Sequence, residues 1–382
     1  FEREDHLGGM MVDGIPRFRL PLEVVQKEIG LIVETGVDVR LRSPVDASRL
    51  RELAATFDAV CMATGTVLEN RVTIPGVPEE AMESGLAFMR SYNNGEVSSL
   101  SGDVVVIGGG FTAVDCARAS ARAARKLLGA GGTVTVMYRR TEQYMAAHPD
   151  ELEEMERERI AVRTLVTAVS GTVKDGRISS LTFRRNVLKA GAGEGGKPDI
   201  VPVAGSEFTL PCSTLIVAVG QTRDLGVLPP EIVPGQNFST SARSVFQTGD
   251  FATGSDNVIK AVANGKAVAR EMDAFLMGGA RLEEAVELVA VDNEGDTGRL
   301  RDFDLLPPHA MPVIPVASRE AGDAEVEAGL GDAEAACNAR RCYLCHYKFE
   351  IDSDLCIQCG WCIDAAPRAC IKRVASVERD GD

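Results

Sequence analysis

No apolar run in this 382-residue chain approaches the roughly 20 residues that a helix needs to cross a bilayer. Basic charge is also short. Lys and Arg number 41 against 56 Asp and Glu, and the net charge of −15 argues against nucleic acid or an anionic membrane as a partner. No secretory signal is visible in the opening Phe1-Glu-Arg-Glu-Asp5, and the chain does not start on Met, so we expect a piece of something longer. There is no internal repeat and no low-complexity tract. Cysteine is nearly missing from the first 336 residues, which hold only Cys61, Cys116 and Cys212. All three sit in apolar strand-like or helix-like contexts and read as buried structural thiols. Between residues 99 and 278 only Cys116 and Cys212 occur, far apart, so a redox dithiol is not expected there.

What is present is concentrated at the other end. Cys337, Cys342, Cys345, Cys356, Cys359, Cys362 and Cys370 all fall in residues 337–382. Pairs at x2 spacing without a secretory signal point to metal ligands in a reducing cytoplasm. The triple Cys356-x2-Cys359-x2-Cys362 lets one tight loop offer three thiolates to a [4Fe–4S] cluster. The ferredoxin pattern puts a fourth cysteine before a proline; Pro367 is present, but Ala366 holds the ligand's place. One cluster is the conservative count, with the fourth thiolate from Cys370 or from the Cys342/Cys345 pair. Two clusters, one with a non-cysteine ligand, stay open. So does a four-cysteine zinc ribbon built from Cys342, Cys345, Cys356 and Cys359, the core of a zinc-stabilised interaction module.

Strands and helices alternate up to about residue 275. Val104–Ile107 reads as a buried strand, Thr112–Leu128 as a helix and Thr133–Tyr138 as the next strand. Gly108-x-Gly110-x-x-Ala113 lies between the first strand and the helix, the context in which such a turn admits a pyrophosphate to a helix N-terminus. Arg139 and Arg140 end the second strand, where an acidic residue would suit NAD; guanidinium groups there favour the 2′-phosphate of NADPH. Val162–Val169, Ile178–Arg184 and Phe208–Leu210 alternate, with a hairpin turn at Lys174-Asp-Gly176. Asp58–Met62 and Leu215–Val219 read as further strands, and Val258–Leu276 as a helix. From Glu283 to Ala335 the chain is acidic and weakly periodic, a linker or wrapped arm with a short helix near Asp323–Gly329.

Three more segments gain meaning from their order. Phe1-Glu2 before Gly8-Gly9 looks like the end of a Rossmann strand, with Glu2 placed for an adenosine ribose. Ala63-Thr64-Gly65 ends a strand with small residues. Gly249-Asp250 ends another, its Asp able to accept hydrogen bonds from a ribitol chain, and the helix from Val258 would aim its N-terminus at a flavin.

Gly8-Gly9, Gly14-Ile-Pro16, Leu20-Pro21, Ala63-Thr-Gly65, Gly108-Gly-Gly-Phe-Thr-Ala-Val-Asp115, Val136-Met-Tyr-Arg-Arg140, Val219-Gly-Gln221 and Thr248-Gly-Asp250 appear in that order. With them, residues 1–276 resemble the small (beta) subunit of NADPH-dependent glutamate synthase and related two-dinucleotide-binding flavoproteins. The resemblance implies an α/β fold of two nested Rossmann-like domains, an FAD domain interrupted by an NADPH domain. Residues 1–98 and 216–278 would form the FAD domain and 99–215 the NADPH domain. An acidic arm (279–336) and a small ferredoxin-like iron–sulfur module (337–382) would follow; Arg341–Asp352 resembles the cluster domains fused to such flavoproteins. Two departures stand out. The first G-x-G-x-x-G strand of the FAD domain, expected upstream of Glu2, does not occur, so a partner chain supplying it is one expectation. The family's Met-Pro-Ala phrase reads Met145-Ala-Ala147-His148, and His148 is expected to be an exposed loop residue.

The expected activity is electron transfer among NADPH, FAD and a [4Fe–4S] cluster, to a partner oxidoreductase subunit or a ferredoxin. No single side chain is assigned as catalytic. The alternative is a flavin-less relay or scaffold subunit.

Overall fold

The computed structural model describes residues 1–97, 100, 102–128, 132–189, 191, 197–279, 307–319, 323–341 and 355–365. Two compact units emerge: Phe1–Glu287 with Met311–Gly329, and Leu288–Ala310 with Leu330–Asp382.

The first unit begins with α1 (Met10–Asp13), α2 (Leu22–Val33), α3 (Ala47–Thr56), β1 (Val60–Met62), β2 (Leu68–Glu69), β3 (Met82–Ser84) and α4 (Gly85–Asn93). Next come β4 (Val104–Gly108), α5 (Phe111–Leu128), β5 (Val134–Met137), α6 (Pro149–Arg157) and β6 (Ala161–Arg163). An antiparallel stretch follows: β7 (Val166–Lys174), β8 (Arg177–Leu188), β9 (Ile200–Pro202) and β10 (Phe208–Pro211). The unit continues with β11 (Thr214–Ala218), β12 (Gln221–Thr222), β13 (Val245–Gln247), α7 (Gly249–Thr253), α8 (Val258–Leu276) and α9 (Val316–Arg319). In the second unit, α10 (Asp332–Ala339) and α11 (Trp361–Ala365) are described.

Continuous valines at 104–106 suit a strand covered on both faces, and they lie at the centre of a parallel sheet ordered β3-β11-β4-β5-β6. α5 covers one face. Its alanines at 113, 117, 121 and 124 are buried, and such small side chains let helix and sheet approach closely. This sheet reaches back to Met82 and forward to Ala218, past both limits, 99 and 215, expected for the nucleotide domain. The other face packs against the antiparallel sheet of β7–β10, where Leu181 and Phe183 share a core with Val105 and Leu215. The β7–β8 hairpin turns at Asp175 and Gly176, both at positive φ, as the twist of a two-residue turn requires.

β1 and β13 pair in parallel, Cys61 opposite Phe246, although nearly 200 residues of chain separate them. Among the described residues no strand pairs with the other edge of β1. Cys61 is exposed, contrary to the expected buried thiol: it points to the face opposite buried Met62. Cys116 and Cys212 are buried. No helix among the described residues is long and apolar enough to cross a membrane.

The acidic arm contains no helix over 323–329. Instead it doubles back on itself: the Ile314 N–H donates to the Val326 carbonyl at 2.9 Å and the Ala328 N–H to that of Pro312 at 2.9 Å. The Val326 N–H donates to the Phe18 carbonyl at 2.9 Å. Val326 is buried in the core beneath, and an extended segment delivers that one side chain inward where a helix would lift it away. Arg319, only 3% exposed, reaches Glu154 of α6 and Glu158, the latter at 3.0 Å. Arg118 and Arg122 of α5 hold the same Glu158 carboxylate at 2.9 Å each, and the Arg122 guanidinium lies 3.7 Å from the Phe18 ring centroid. Arg19 bridges Asp115 of α5, at 2.6 Å, and Glu151 of α6. A buried ionic joint thus ties residues 18–19, the helices α5 and α6, and the arm.

Candidate nucleotide-binding sites

The glycine turn after β4 divides its tasks. A Cβ on Gly108 would strike the Ala218 carbonyl of β11, and one on Gly109 would strike the Tyr138 ring. One on Gly110 would meet nothing. Gly110 therefore offers open space for a ligand to approach the backbone, while Gly108 is required by strand packing. Ala113, fully buried, fits the close approach of α5 to the sheet. The loop after β5 folds back across this turn, with the Ala146 N–H donating to the Gly109 carbonyl at 2.9 Å.

Arg139 and Arg140 leave the end of β5 beside the turn. Arg139 is exposed; Arg140 is half-buried, and its Nε donates to the Pro198 carbonyl at 2.8 Å. Tyr138 donates its hydroxyl to the Tyr144 carbonyl at 2.8 Å. Burial raises the Tyr138 phenol above its ordinary range although Arg140 pulls the other way, so it stays a donor. The Thr141 hydroxyl is buried without a partner, an orphan that a polar ligand would satisfy. His148 is exposed and caps α6: its N–H donates to Glu151 Oε2 at 3.1 Å, and its ring pairs with Asp150. Helix capping at α6 accounts for it.

A second pair of strand ends lies elsewhere in the unit. Ala63-Thr64-Gly65 follows β1 and Gly249-Asp250 follows β13, and the two are drawn together by the Thr248 N–H donating to the Met62 carbonyl at 2.9 Å. Gly65 and Gly249 are both at positive φ, and a Cβ on either would meet nothing. The Thr248 hydroxyl is buried and has no partner. Asp250 is half-buried, and burial raises its carboxyl. Thr66 closes the base, sharing a 2.6 Å hydrogen bond with Ser255. Parallel strand ends of this kind form the crevice where open α/β sheets take ligands. Open glycines and an orphaned hydroxyl fit a dinucleotide here. Val258 opens α8, whose N-terminus Asn257 caps through the Lys260 N–H.

Glu2 and Gly8-Gly9 are placed differently. Glu2 lies in no named strand; its backbone pairs with Arg40 and Ser43, and its Oε1 accepts the Glu4 N–H at 2.9 Å. Gly9 caps α1, and Gly8 packs against Val12 and Ile29. Sequence reasoning missed Thr66 and Thr141, and quoted Thr248 only as part of the Thr248-Gly-Asp250 phrase. Lone threonines carry no spacing signal, and only the fold shows which hydroxyls lack partners.

Of the cysteine ligand candidates, Cys342, Cys345 and Cys370 lie outside the described residues. Cys356, Cys359 and Cys362 are described: the first two lie on a loop coiled by positive φ at Gln358 and Gly360, and Cys362 lies in the first turn of α11. Among the described residues no group of three or more His, Cys, Asp or Glu is gathered to hold a metal ion. Three thiols at x2 spacing are nonetheless the donor chemistry a cluster uses.

Residues 22–265 match the pyridine nucleotide-disulphide oxidoreductase family. The chain belongs to that family. Its fold is that of two-domain FAD/NAD(P) oxidoreductases with parallel-sheet α/β domains. The NADPH complex of FprA from Mycobacterium tuberculosis superposes with a TM-score of 0.57 at 18% identity, covering 72% of this chain and 77% of that one. The chain is 33% identical over 368 residues to the NADP(+)-dependent formate dehydrogenase subunit beta of Moorella thermoacetica, covering 91% of this chain and 50% of that protein. It is 29% identical over 332 residues to the glutamate synthase [NADPH] small chain of M. tuberculosis, covering 76% and 64%. The chain thus spans about half the length of the first of these relatives. Cys116 and Cys212, the cysteines between residues 99 and 278, do not suit the disulphide chemistry of the family name. Burial raises the Cys212 thiol to about 12 and that of Cys116 well above its usual range, and protonated thiols are poor nucleophiles.

Proposed function

We propose that this family member is an electron-transfer subunit that exchanges electrons between NADPH, FAD and a [4Fe–4S] cluster, serving a partner oxidoreductase subunit or a ferredoxin. NADPH would lie over Gly108, Gly110 and Ala113, with Arg139 and Arg140 on its 2′-phosphate. FAD would lie along Ala63, Thr64, Gly65, Gly249 and Asp250, below the start of α8 at Val258, and supplies the chemistry that converts a hydride into single electrons. Cys356, Cys359 and Cys362, with a fourth thiolate from Cys370, Cys342 or Cys345, would hold the cluster, which supplies one-electron exchange.

The chain's own work is binding and orientation. The open face at Gly110 admits the pyrophosphate, and the orphaned Thr248 hydroxyl offers the flavin site a hydrogen bond. The unpaired edge of β1 is where a further strand, from a partner chain or a longer form of this one, would complete the sheet. The observation that carries the reading is the juxtaposition of the two strand ends at Gly65 and Gly249, a second dinucleotide-type crevice beside a complete β4–α5–β5 unit. The names of the relatives, a subunit beta named as NADP(+)-dependent and a small chain named with NADPH, support it.

Anaerobic absorption spectra with flavin, iron and sulfide analysis test it. Stoichiometric flavin with iron and sulfide is expected. Zinc in place of iron, or no flavin even with the partner subunit present, would overturn it.

A further inference from the structure

Lys197 stands just before β9, far in sequence from the glycine turn and outside every nucleotide-binding motif. Its Nζ donates to the Tyr144 carbonyl at 3.2 Å, the same oxygen that accepts the Tyr138 hydroxyl. The next residue, Pro198, is buried and provides the carbonyl that accepts Arg140 Nε. Two contacts therefore stitch the segment ahead of β9 onto the loop that carries Arg139 and Arg140. One of them orients the Arg140 fork by its Nε, leaving its terminal nitrogens to Tyr138 and to a ligand. The other brings an exposed ammonium to the same loop. The half-buried Thr141 beside Arg140 carries a hydroxyl with no partner. Glu142, the nearest acid along the loop, is exposed.

We infer that Lys197 is a third cationic ligand for the 2′-phosphate of NADP(H), and with Arg139, Arg140 and Thr141 determines the preference for it over NAD(H). This rests on the NADPH reading above. The chemistry is that of a dianionic phosphate monoester. Two arginine forks give directional hydrogen bonds, a lysine contributes a mobile point charge, and a buried hydroxyl gives a short donor. Among the described residues Lys197 Nζ donates to this one carbonyl, which leaves two further N–H donors on an ammonium. The antiparallel sheet between the Rossmann strands would then do more than cover the core, because residues 197–198 at the entry to β9 would line the phosphate site.

The test is calorimetric titration of the full chain with 2′,5′-ADP and, separately, with 5′-AMP, so that no flavin, cluster or turnover enters the readout. Lys197→Ala is expected to weaken 2′,5′-ADP about tenfold and leave 5′-AMP unchanged, with Lys197→Arg restoring most of the affinity. If Lys197→Ala leaves 2′,5′-ADP unchanged while the Arg139→Ala/Arg140→Ala double variant loses it, the role of Lys197 is refuted and the NADPH site stands. If Lys197→Ala weakens both nucleotides equally, its part is structural and the inference fails. If neither variant changes 2′,5′-ADP binding, the NADP(H) reading itself fails and takes the Lys197 assignment with it.

Discussion

Three consecutive glycines, 108 to 110, show how differently neighbouring positions can be constrained. Gly108 must lack a side chain because the backbone of β11 fills the space, and Gly109 because the Tyr138 ring does. Gly110 has no such neighbour. Gly108→Ala is therefore expected to destabilise the fold by about 1–3 kcal/mol, the usual cost of overpacking, as measured by urea unfolding. Gly110→Ala is expected to leave the unfolding midpoint nearly unchanged and to weaken NADPH binding by about tenfold or more, because the added methyl occupies only ligand space. Equal loss of stability in the two variants would contradict this division. The arginines divide likewise: Arg139→Ala/Arg140→Ala should remove NADPH-driven dye reduction and spare activity with NADH.

At the scale of elements, the buried joint between α5, α6, residues 18–19 and the arm sets the pH response. Burial alone would raise the Glu158 carboxyl, but hydrogen bonds and charge from Arg118 and Arg122 outweigh it and hold the group at about 2. A carboxyl depressed in the folded state contributes stability that is fully present above its unfolded value of 4.5 and is lost as pH falls toward 2. That contribution is on the order of 3 kcal/mol. Asp115 is the opposite case. Burial pushes its carboxyl up to about 6 although Arg19 pulls it down. The folded chain then holds that proton more tightly than the unfolded one, so stability falls as pH rises from 3.8 through about 6. Asp115→Asn should flatten that part of the profile, and Glu158→Gln should remove the loss below pH 4.5. Urea unfolding from pH 3 to 7 separates them; a profile unchanged by both substitutions would refute the assignment.

Much of this architecture was legible in sequence because its signals are local. Strand β4, helix α5, the Asp175-Gly176 hairpin and helix α8 follow from periodicity, propensity and turn chemistry. The arm was not legible. Its extended form at 323–329 depends on Val326 finding a core pocket and on Phe18 offering a carbonyl, neither of which lies nearby in the chain. Cys61 was misread for a related reason: an apolar strand looks buried on both sides until one knows which face is covered, and Cys61 points away from the side of buried Met62. The open glycines at 65, 110 and 249 were legible as motifs, whereas the orphaned hydroxyls of Thr141 and Thr248 were visible only in the fold.

At the scale of the whole molecule, the described core belongs to the first unit, and the cysteine-rich segment lies outside it. Chelation or oxidation of the proposed cluster should therefore abolish the proposed one-electron transfer while leaving the main thermal unfolding transition in place. Loss of both together would mean that the cluster is structural for the whole chain. The acidic balance of the chain makes surface electrostatics sensitive to buffer composition. Arg319 is an exception, because its ion pairs are closed off from solvent. Arg319→Ala should cost about 2 kcal/mol, read as the difference in urea unfolding from the unsubstituted chain. Mobile counter-ions cannot enter a site only 3% exposed. That difference should therefore be the same in dilute buffer and in molar salt, so that ionic strength could tune nucleotide capture at the exposed Arg139 without loosening the joint that holds the arm.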